Sequence, residues 1–373
     1  MVGLAANRQT DALRGQIEEM KPLAAAVSDP AGAREIETAC LRSGTEFAGG
    51  SEGLSRIAAL PEADLVVNAL VGAVGIEPTL AAIRAGKDVA IANKESLVAA
   101  GSIIVKAARA AGVSLIPIDS EHSAIYQCMR GEPKNSVKRL ILTASGGPFA
   151  DMSREAIARV TPSQALSHPT WKMGRKVTVD SATLLNKGFE VIEARWLFGI
   201  PGDRIGVVIE RKSIVHSLVE FVDGSVRALL SSPDMRLPIQ YALTHPERME
   251  SGVEGLDLEA MGSLSFQEPD DERFPCLRLA YRALGLAGTA PAVLSAADEV
   301  AVAAFLDGRL AFADIHSVLR DVLALERPAA AGTLDSILQA DSWARQRAEE
   351  TIAAGYEAGG GRSAGPSAEE TSC

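Results

Sequence analysis

Residues 63–119 read ADLVVNALVGAVGIEPTLAAIRAGKDVAIANKESLVAAGSIIVKAARAAGVSLIPID. Three short apolar runs, ADLVVNAL, KDVAIAN and VSLIPID, alternate with two helical ones: IEPTLAAIRAG, closed by Gly86, and ESLVAAGSIIVKAARAAG. Alternation at this spacing predicts a parallel sheet with helices on both faces, and such sheets bind ligands beyond the carboxyl ends of their strands. NALVGA, ANKES and PIDSEH are then strand ends, where polar groups are placed for function rather than solvation. The pattern starts earlier. VGLAA is a brief strand, and TDALRGQIEEMKPLAAAV has helical periodicity with Thr10 as its N-cap.

From about residue 137 the pattern changes. VKRLILTASGGPF reads as a strand entering a glycine turn, SHPTWKMGRK as a polar loop, and VTVDSATLLNKGFEVIEARWLFG as one long helix ending at Gly199 and Pro201. SIVHSLVEFVDGSVRALLS is a hairpin turning at Asp223-Gly224. An acidic stretch near 250–275 reads as a linker. Helical segments near 276–286, 291–306, 311–325 and 333–353 suggest a small bundle, and a low-complexity tail follows.

A chain of 373 residues with 47% apolar content can bury two or three cores. Its net charge of −11 argues against nucleic acid and anionic membrane as main partners, while leaving room for an anionic small substrate held by local basic groups. Cys40, Cys128, Cys276 and Cys373 are far apart, which suits free thiols in a reducing compartment. No apolar run reaches the roughly 18 residues of a membrane span. A soluble, cytoplasmic protein is the expectation.

The chemistry gathers at two places. Pro117 and the helix start near Ser120 make PIDSEH a strand-to-helix junction that can turn Asp119 and Glu121 toward one point. A capping Asp and a first-turn Glu would look the same. On the long helix, Asn186, Lys187, Glu190 and Glu193 share a face at i,i+3 and i,i+4 spacing, with Ser181 nearer the N-terminus. That face alone could be a solvated salt-bridge stripe. The preceding loop argues otherwise, because His168, Trp171, Met173 and Arg175 crowd into eight residues of polar sequence. Trp and Met there suit a lid that excludes water from a small ligand. Ser145 and the backbone of ASGG can cradle a phosphate. All-oxygen ligation by Asp119, Glu121 and Glu190 would favour Mg²⁺ or Mn²⁺ over zinc.

ANKESLVAAG, PIDSEHSAIYQ, LTASGGPF, HPTWKMGRKVTVDSATLLNKGFEVIEA, DGSV, SPDMRLPIQYAL and SAADEVAVAAFL, in that order, resemble the 1-deoxy-D-xylulose 5-phosphate reductoisomerase family. The resemblance runs from about residue 2 to 352. It implies NADPH-dependent rearrangement and reduction of 1-deoxy-D-xylulose 5-phosphate to 2-C-methyl-D-erythritol 4-phosphate, in non-mevalonate isoprenoid precursor biosynthesis. It also implies a homodimer. By the same resemblance Asp119, Glu121 and Glu190 hold Mg²⁺ or Mn²⁺, and Lys94, Glu121, His122 and Lys187 are catalytic. Ser145, Ser181, Asn186 and Lys187 bind the phosphate under His168. Ser120 and Trp171 meet the sugar, as do Glu121 and Glu190, and His216 sits nearby. Asn93, Lys94, Glu95, Gly174 and Met235 contact the cofactor, while Ala6, Asn7, Arg8 and Gln9 replace the family's usual Ala-Gly-Lys/Arg-Asn at its 2′-phosphate.

The resemblance divides the chain into an NADPH-binding domain over 1–119, a metal and substrate domain over 120–245, a linker over 246–275, a helical domain over 276–353 and a tail over 354–373. Two departures stand out. Glu210, Arg211 and Lys212 replace the family's His-Pro-Gln, which suggests altered packing or dimer contact. The family also opens with a strand and a turn of the Gly-Ser-Thr-Gly-Ser-Ile-Gly type, a segment with no match before Val2. The expected fold is therefore α/β, with a Rossmann-like domain lacking its first strand and Gly-rich turn, an α/β catalytic domain and a C-terminal bundle. The alternatives are a catalytically impaired paralogue or truncated chain that still binds metal and sugar phosphate, and a metal-dependent isomerase or aldolase that uses no nucleotide.

Overall fold

The computed structural model describes residues 1–355 except Pro169, Lys172 and Arg327. The tail expected over 354–373 lies almost wholly outside the described residues. Among the described residues, ten strands form three sheets. Strands β1 (Gly3–Ala6), β2 (Ala24–Val27) and β3 (Glu46–Gly49) pair in parallel in chain order, as do β4 (Leu65–Asn68), β5 (Asp88–Ile91) and β6 (Leu115–Pro117). β1 and β4 are both edge strands, and Val67 of β4 is exposed. The third sheet is mixed, with order β10-β9-β7-β8, where β7 is Val137–Ala144, β8 Ile205–Ile209, β9 Val215–Phe221 and β10 Val226–Leu230. Parallel strands alternating with helices, the hairpin of β9 and β10, and the C-terminal helices match the sequence pattern; the division into two parallel sheets and the mixed sheet was not expected.

Two segments differ from their expectation. The first helix stops at Met20, with Lys21 left-handed (φ 44°) before Pro22, and AAAV is the buried strand β2 rather than the helix end. Alanine prefers helix, but burial on all four residues between β1 and β3 overrides that small propensity. Gln9 precedes the helix and Thr10 is its first residue, so Thr10 does not cap it. The long central helix is also two helices, Arg175–Thr183 and Leu185–Phe198, broken at Leu184 (φ 60°). Leu184 is buried, and the Thr183 hydroxyl accepts from the Leu185 N–H, so packing and a local cap hold the break. The hairpin turns at Gly224 as expected, with Asp223 accepting from the Ser225 N–H.

The largest core joins Val98, Phe149, Phe189, Leu277, Phe305 and Ile352, so the C-terminal helices pack on the elements that build the site. The Lys94–Ala111 and Leu185–Phe198 helices also touch closely. A Cβ on Gly101 would run into the Trp196 indole, so only glycine allows this approach. A buried charge cluster ties the Arg175–Thr183 helix to the Ala290–Leu306 helix: the Lys176 ammonium lies 2.7 Å from Asp180 and 2.6 Å from Asp298, and over the Phe189 ring. The two carboxyl groups also face each other across the pair of helices.

Candidate active site

The carboxyl ends of β5, β6 and β7 deliver the first residues of the site: Lys94 begins the helix after β5, Asp119 caps the helix after β6, and Ser145 follows β7. The Leu185–Phe198 helix supplies Asn186, Lys187 and Glu190 from the opposite side. Together they wall a cavity of about 290 Å³, which also takes in Ser120, Glu121, Gly146, His168, Trp171 and Met173. The break at Leu184 has a function here. It allows Ser181, on one helix, and Asn186, on the next, to line the same cavity.

Capping and metal-binding readings of Asp119 prove compatible. Its carboxylate accepts from the Glu121 N–H, yet oxygens of Asp119, Glu121 and Glu190 all lie within 4.8 Å of one another. Two ammonium groups thread between them. Lys187 is 2.7 Å from Glu121 and also pairs with Glu190, whose other oxygen accepts from Asn186 at 2.7 Å. Lys94 is 3.0 Å from Asp119 and 2.7 Å from the Asn186 carbonyl oxygen.

The electrostatics follow from burial against charge. Burial and the neighbouring Glu121 carboxylate push Glu190 up to about 8, despite Lys187. Burial likewise raises Glu193 to about 7, with His122 and Lys94 opposing. Burial also works against ionised Asp119, but Lys94 and then His122 outweigh it and hold that carboxyl well below its usual range. Lys94 and Lys187, which burial alone would lower, are raised by the acids around them and stay charged. The raised carboxyls of Glu190 and Glu193 are poised to ionise when a further cation enters among them. An oxygen-only trio in that setting fits a divalent cation of the Mg²⁺ or Mn²⁺ type.

The lid residues sit as the loop composition suggests. His168 Nδ1 accepts the Thr170 and Trp171 N–H groups at 3.2 and 2.9 Å, which leaves Nε2 to carry the proton, 3.2 Å from the Ser145 hydroxyl. Burial lowers the His168 pKa, so the ring is a neutral donor at the Ser145 end of the cavity. Trp171 lies 6.4 Å from the His216 ring, and Met173 and Met235 line the same space.

Several expected site residues are elsewhere. His122 is buried off the cavity wall, donating from Nε2 to the Glu190 carbonyl at 2.9 Å, so it orients the helix that carries Glu190. Asn93 donates to the Leu70 and Gly72 carbonyls, and both it and Glu95 are buried behind the wall. Gly174 is exposed beside the lid, between the lining residues Met173 and Val177. Ala6 ends β1 and Asn7 to Gln9 follow it, apart from the cavity, with Arg8 exposed and 3.3 Å from Asp29. Ser213 and Glu210 line the cavity without having been expected there. Ser213 has a left-handed backbone (φ 53°), and Glu210 is buried, accepting from the backbone N–H groups of Lys212, Ile214 and Val215. Within the chain, Arg211 pairs with Asp151, and Lys212 donates to the Met261 and Ser263 carbonyls.

Comparison with known proteins agrees along the chain. Family models described as 1-deoxy-D-xylulose 5-phosphate (DXP) reductoisomerase, its C-terminal domain, and DXP reductoisomerase C-terminal domain match residues 1–101, 115–198 and 230–347. The 1-deoxy-D-xylulose 5-phosphate reductoisomerase of Chlorobium chlorochromatii is 51% identical over 349 residues, 94% of this chain and 91% of that protein. That of Heliobacterium modesticaldum is 51% identical over 356 residues, 95% and 91% of the two chains. The Zymomonas mobilis reductoisomerase in complex with NADPH superposes with a TM-score of 0.88 at 41% identity, covering 94% of this chain and 91% of that one. A DOX-P reductoisomerase bound to NADPH, fosmidomycin and magnesium gives 0.88 at 40% identity, with the same coverage.

Proposed function

Since the chain belongs to the 1-deoxy-D-xylulose 5-phosphate reductoisomerase family, we infer that it converts 1-deoxy-D-xylulose 5-phosphate to 2-C-methyl-D-erythritol 4-phosphate with NADPH and a divalent metal. The enzyme is an NADPH-dependent oxidoreductase. The observation that carries this reading in the site itself is the convergence of Asp119, Glu121 and Glu190, with Lys94 and Lys187, in one cavity under His168 and Trp171.

Asp119, Glu121 and Glu190 would hold the metal, which supplies Lewis acidity to the substrate's carbonyl and adjacent hydroxyl oxygens, while NADPH supplies the hydride. The remaining work belongs to side chains. Ser145, Ser181, Asn186 and Lys187 receive the phosphate, and neutral His168 donates to it from Nε2. Lys94, held charged by Asp119, fixes the Asn186 amide so that its nitrogen donates to Glu190. Trp171 and Met173 close over the carbon chain and strengthen these interactions by removing water. Arg8, exposed beyond β1, offers its charge to the cofactor's 2′-phosphate. Ser120, Met235 and His216 shape the sugar and nicotinamide side.

A homodimer is part of this reading, supported by the bare edge of β10 and the exposed Val222 and Val226 beside it. So is a cytoplasmic location; among the described residues no helix is long and apolar enough to cross a membrane.

The direct test is absorbance at 340 nm with substrate, NADPH and Mg²⁺ or Mn²⁺. One NADPH is expected to disappear per substrate consumed, and none after chelation. Substrate loss without NADPH oxidation would instead establish a nucleotide-free isomerase or aldolase. A second result is expected from Trp171, whose fluorescence should change at saturating sugar phosphate or phosphonate. An unchanged spectrum, with unchanged proteolysis near the lid, would remove the lid assignment.

A further inference from the structure

The two helices that begin in the active site end together at a second cavity, of about 300 Å³. Lys106 and Arg109 reach it from the Lys94–Ala111 helix, and Arg195, Trp196 and Gly199 from the end of the Leu185–Phe198 helix. Lys134 joins them across Gly199. A Cβ on Gly199, which is left-handed at φ 63°, would sit 2.5 Å from the Lys134 ammonium and 3.8 Å from an Arg109 nitrogen. Glycine is what lets the cations converge there.

No described carboxylate lies within ion-pair distance of Lys106, Arg109, Lys134 or Arg195, and none of the four donates a side-chain hydrogen bond to another described residue. In a chain with 48 acidic and 37 basic residues, that is contrary to composition, since acids are in surplus elsewhere. The crowding has an electrostatic cost: burial, then the charges of Arg109 and Arg195, lower the pKa of Lys134. The carbonyl ends of the two helices attract cations, which accounts for one at each terminus. They do not account for four around one hollow. The Arg195 guanidinium is held in place at the lining by the Trp196 ring, 5.6 Å from its centroid.

We propose that this cavity is a binding site for a small phosphoryl anion, of the phosphate-ester or diphosphate class, held by Arg109, Arg195, Lys106 and Lys134. Guanidinium groups match phosphoryl oxygens two at a time, and the ammonium groups add charge without demanding geometry. The compact hollow suits a small ligand better than a polymer, which would follow an extended basic stripe. The site is distinct from the active site. At 1.5 Å rise per residue, Arg195 lies about 12 Å along its helix from Lys187, and Arg109 about 22 Å along its own from Lys94.

Inorganic pyrophosphate is the probe, titrated by calorimetry at constant ionic strength into the full chain and into Lys187→Met, which weakens phosphate binding in the active site. Both are expected to bind it at submillimolar Kd and to show a higher unfolding midpoint. Arg109→Ala/Arg195→Ala should lose at least 10-fold in that affinity with kcat unchanged in the absence of pyrophosphate. Lys106→Ala/Lys134→Ala serves as the second variant should the first fold poorly. Equal binding by a well-folded variant would overturn the proposal. So would an identical midpoint shift from sodium chloride at matched ionic strength, since screening of the four cations would then explain everything.

Discussion

Glu190→Gln is expected to lower kcat/KM at least 100-fold, about 2.7 kcal/mol of transition-state stabilisation, while the protein stays folded. Both halves follow from burial. Glu190 is 1% exposed and its carboxyl is already raised to about 8, so a neutral amide of the same shape relieves a desolvation cost. Lys187 keeps Glu121 as a partner at 2.7 Å. What disappears is one of three charged oxygen ligands, and with it the affinity for the divalent cation on which the rearrangement depends. Steady-state kinetics at saturating Mg²⁺, with a melting curve beside them, check both. Retention of more than a tenth of wild-type activity would show that Glu190 is not a ligand.

Lys176→Met is expected to have the largest effect on stability, ~3 kcal/mol or more, because it strands two carboxylates in the core. Asp180 and Asp298 are fully buried, and the Lys176 ammonium is the nearest compensating charge. Glu95 adds repulsion from the Lys94–Ala111 helix, and the thiol of Cys276 abuts from the next helix without offsetting charge. Burial, then the facing Asp298, raise Asp180 well above the carboxylate range, so the folded protein holds a proton there that the unfolded chain releases. A raised carboxyl contributes stability that is complete below the ordinary aspartate pKa and is lost as pH climbs through the folded value. The deficit of Lys176→Met should therefore widen with rising pH, since both acids must then be protonated to stay buried. Unfolding midpoints at several pH values measure it, and Lys176→Arg should recover part of the loss. A Lys176→Met protein that melts within a degree of wild type would show the cluster to be energetically idle.

The sequence made the strand ends legible because strand–helix alternation is a long, repeated signal, and Lys94, Asp119 and Ser145 sit where it places them. It also made the lid legible, since Trp171 and Met173 have no reason to stand in a polar loop. It did not reveal the break at Leu184. Helical periodicity runs straight through it, and the left-handed turn is imposed by burial and the Thr183 cap. The inward turn of His122 and Asn93 was equally hidden, because their hydrogen-bond partners, the carbonyls of Glu190, Leu70 and Gly72, are backbone groups supplied by other segments. The Glu210-Arg211-Lys212 stretch suggested altered packing or dimer contact, but its sequence could not show that Glu210 is a buried acceptor for three backbone N–H groups. The cation cavity could not be read at all: Arg109 and Arg195 lie far apart in sequence and meet only through the packing of the two helices, which Gly101 permits against Trp196.

The two parallel sheets also set an order of assembly. Gly3 pairs with Ala24 and Ala24 with Glu46, and Leu65 with Asp88 and Val89 with Leu115, so each three-stranded unit closes through helical crossovers between strands adjacent in sequence. Closures between neighbouring segments cost less entropy than those that join distant parts of the chain. The core that supports Glu190 instead joins Val98 to Ile352 and has to wait for the end of the chain. On the ribosome, the strands and helices of the two parallel sheets can emerge and begin to pair while the C-terminal helices that brace the segment carrying Glu190 are still unmade.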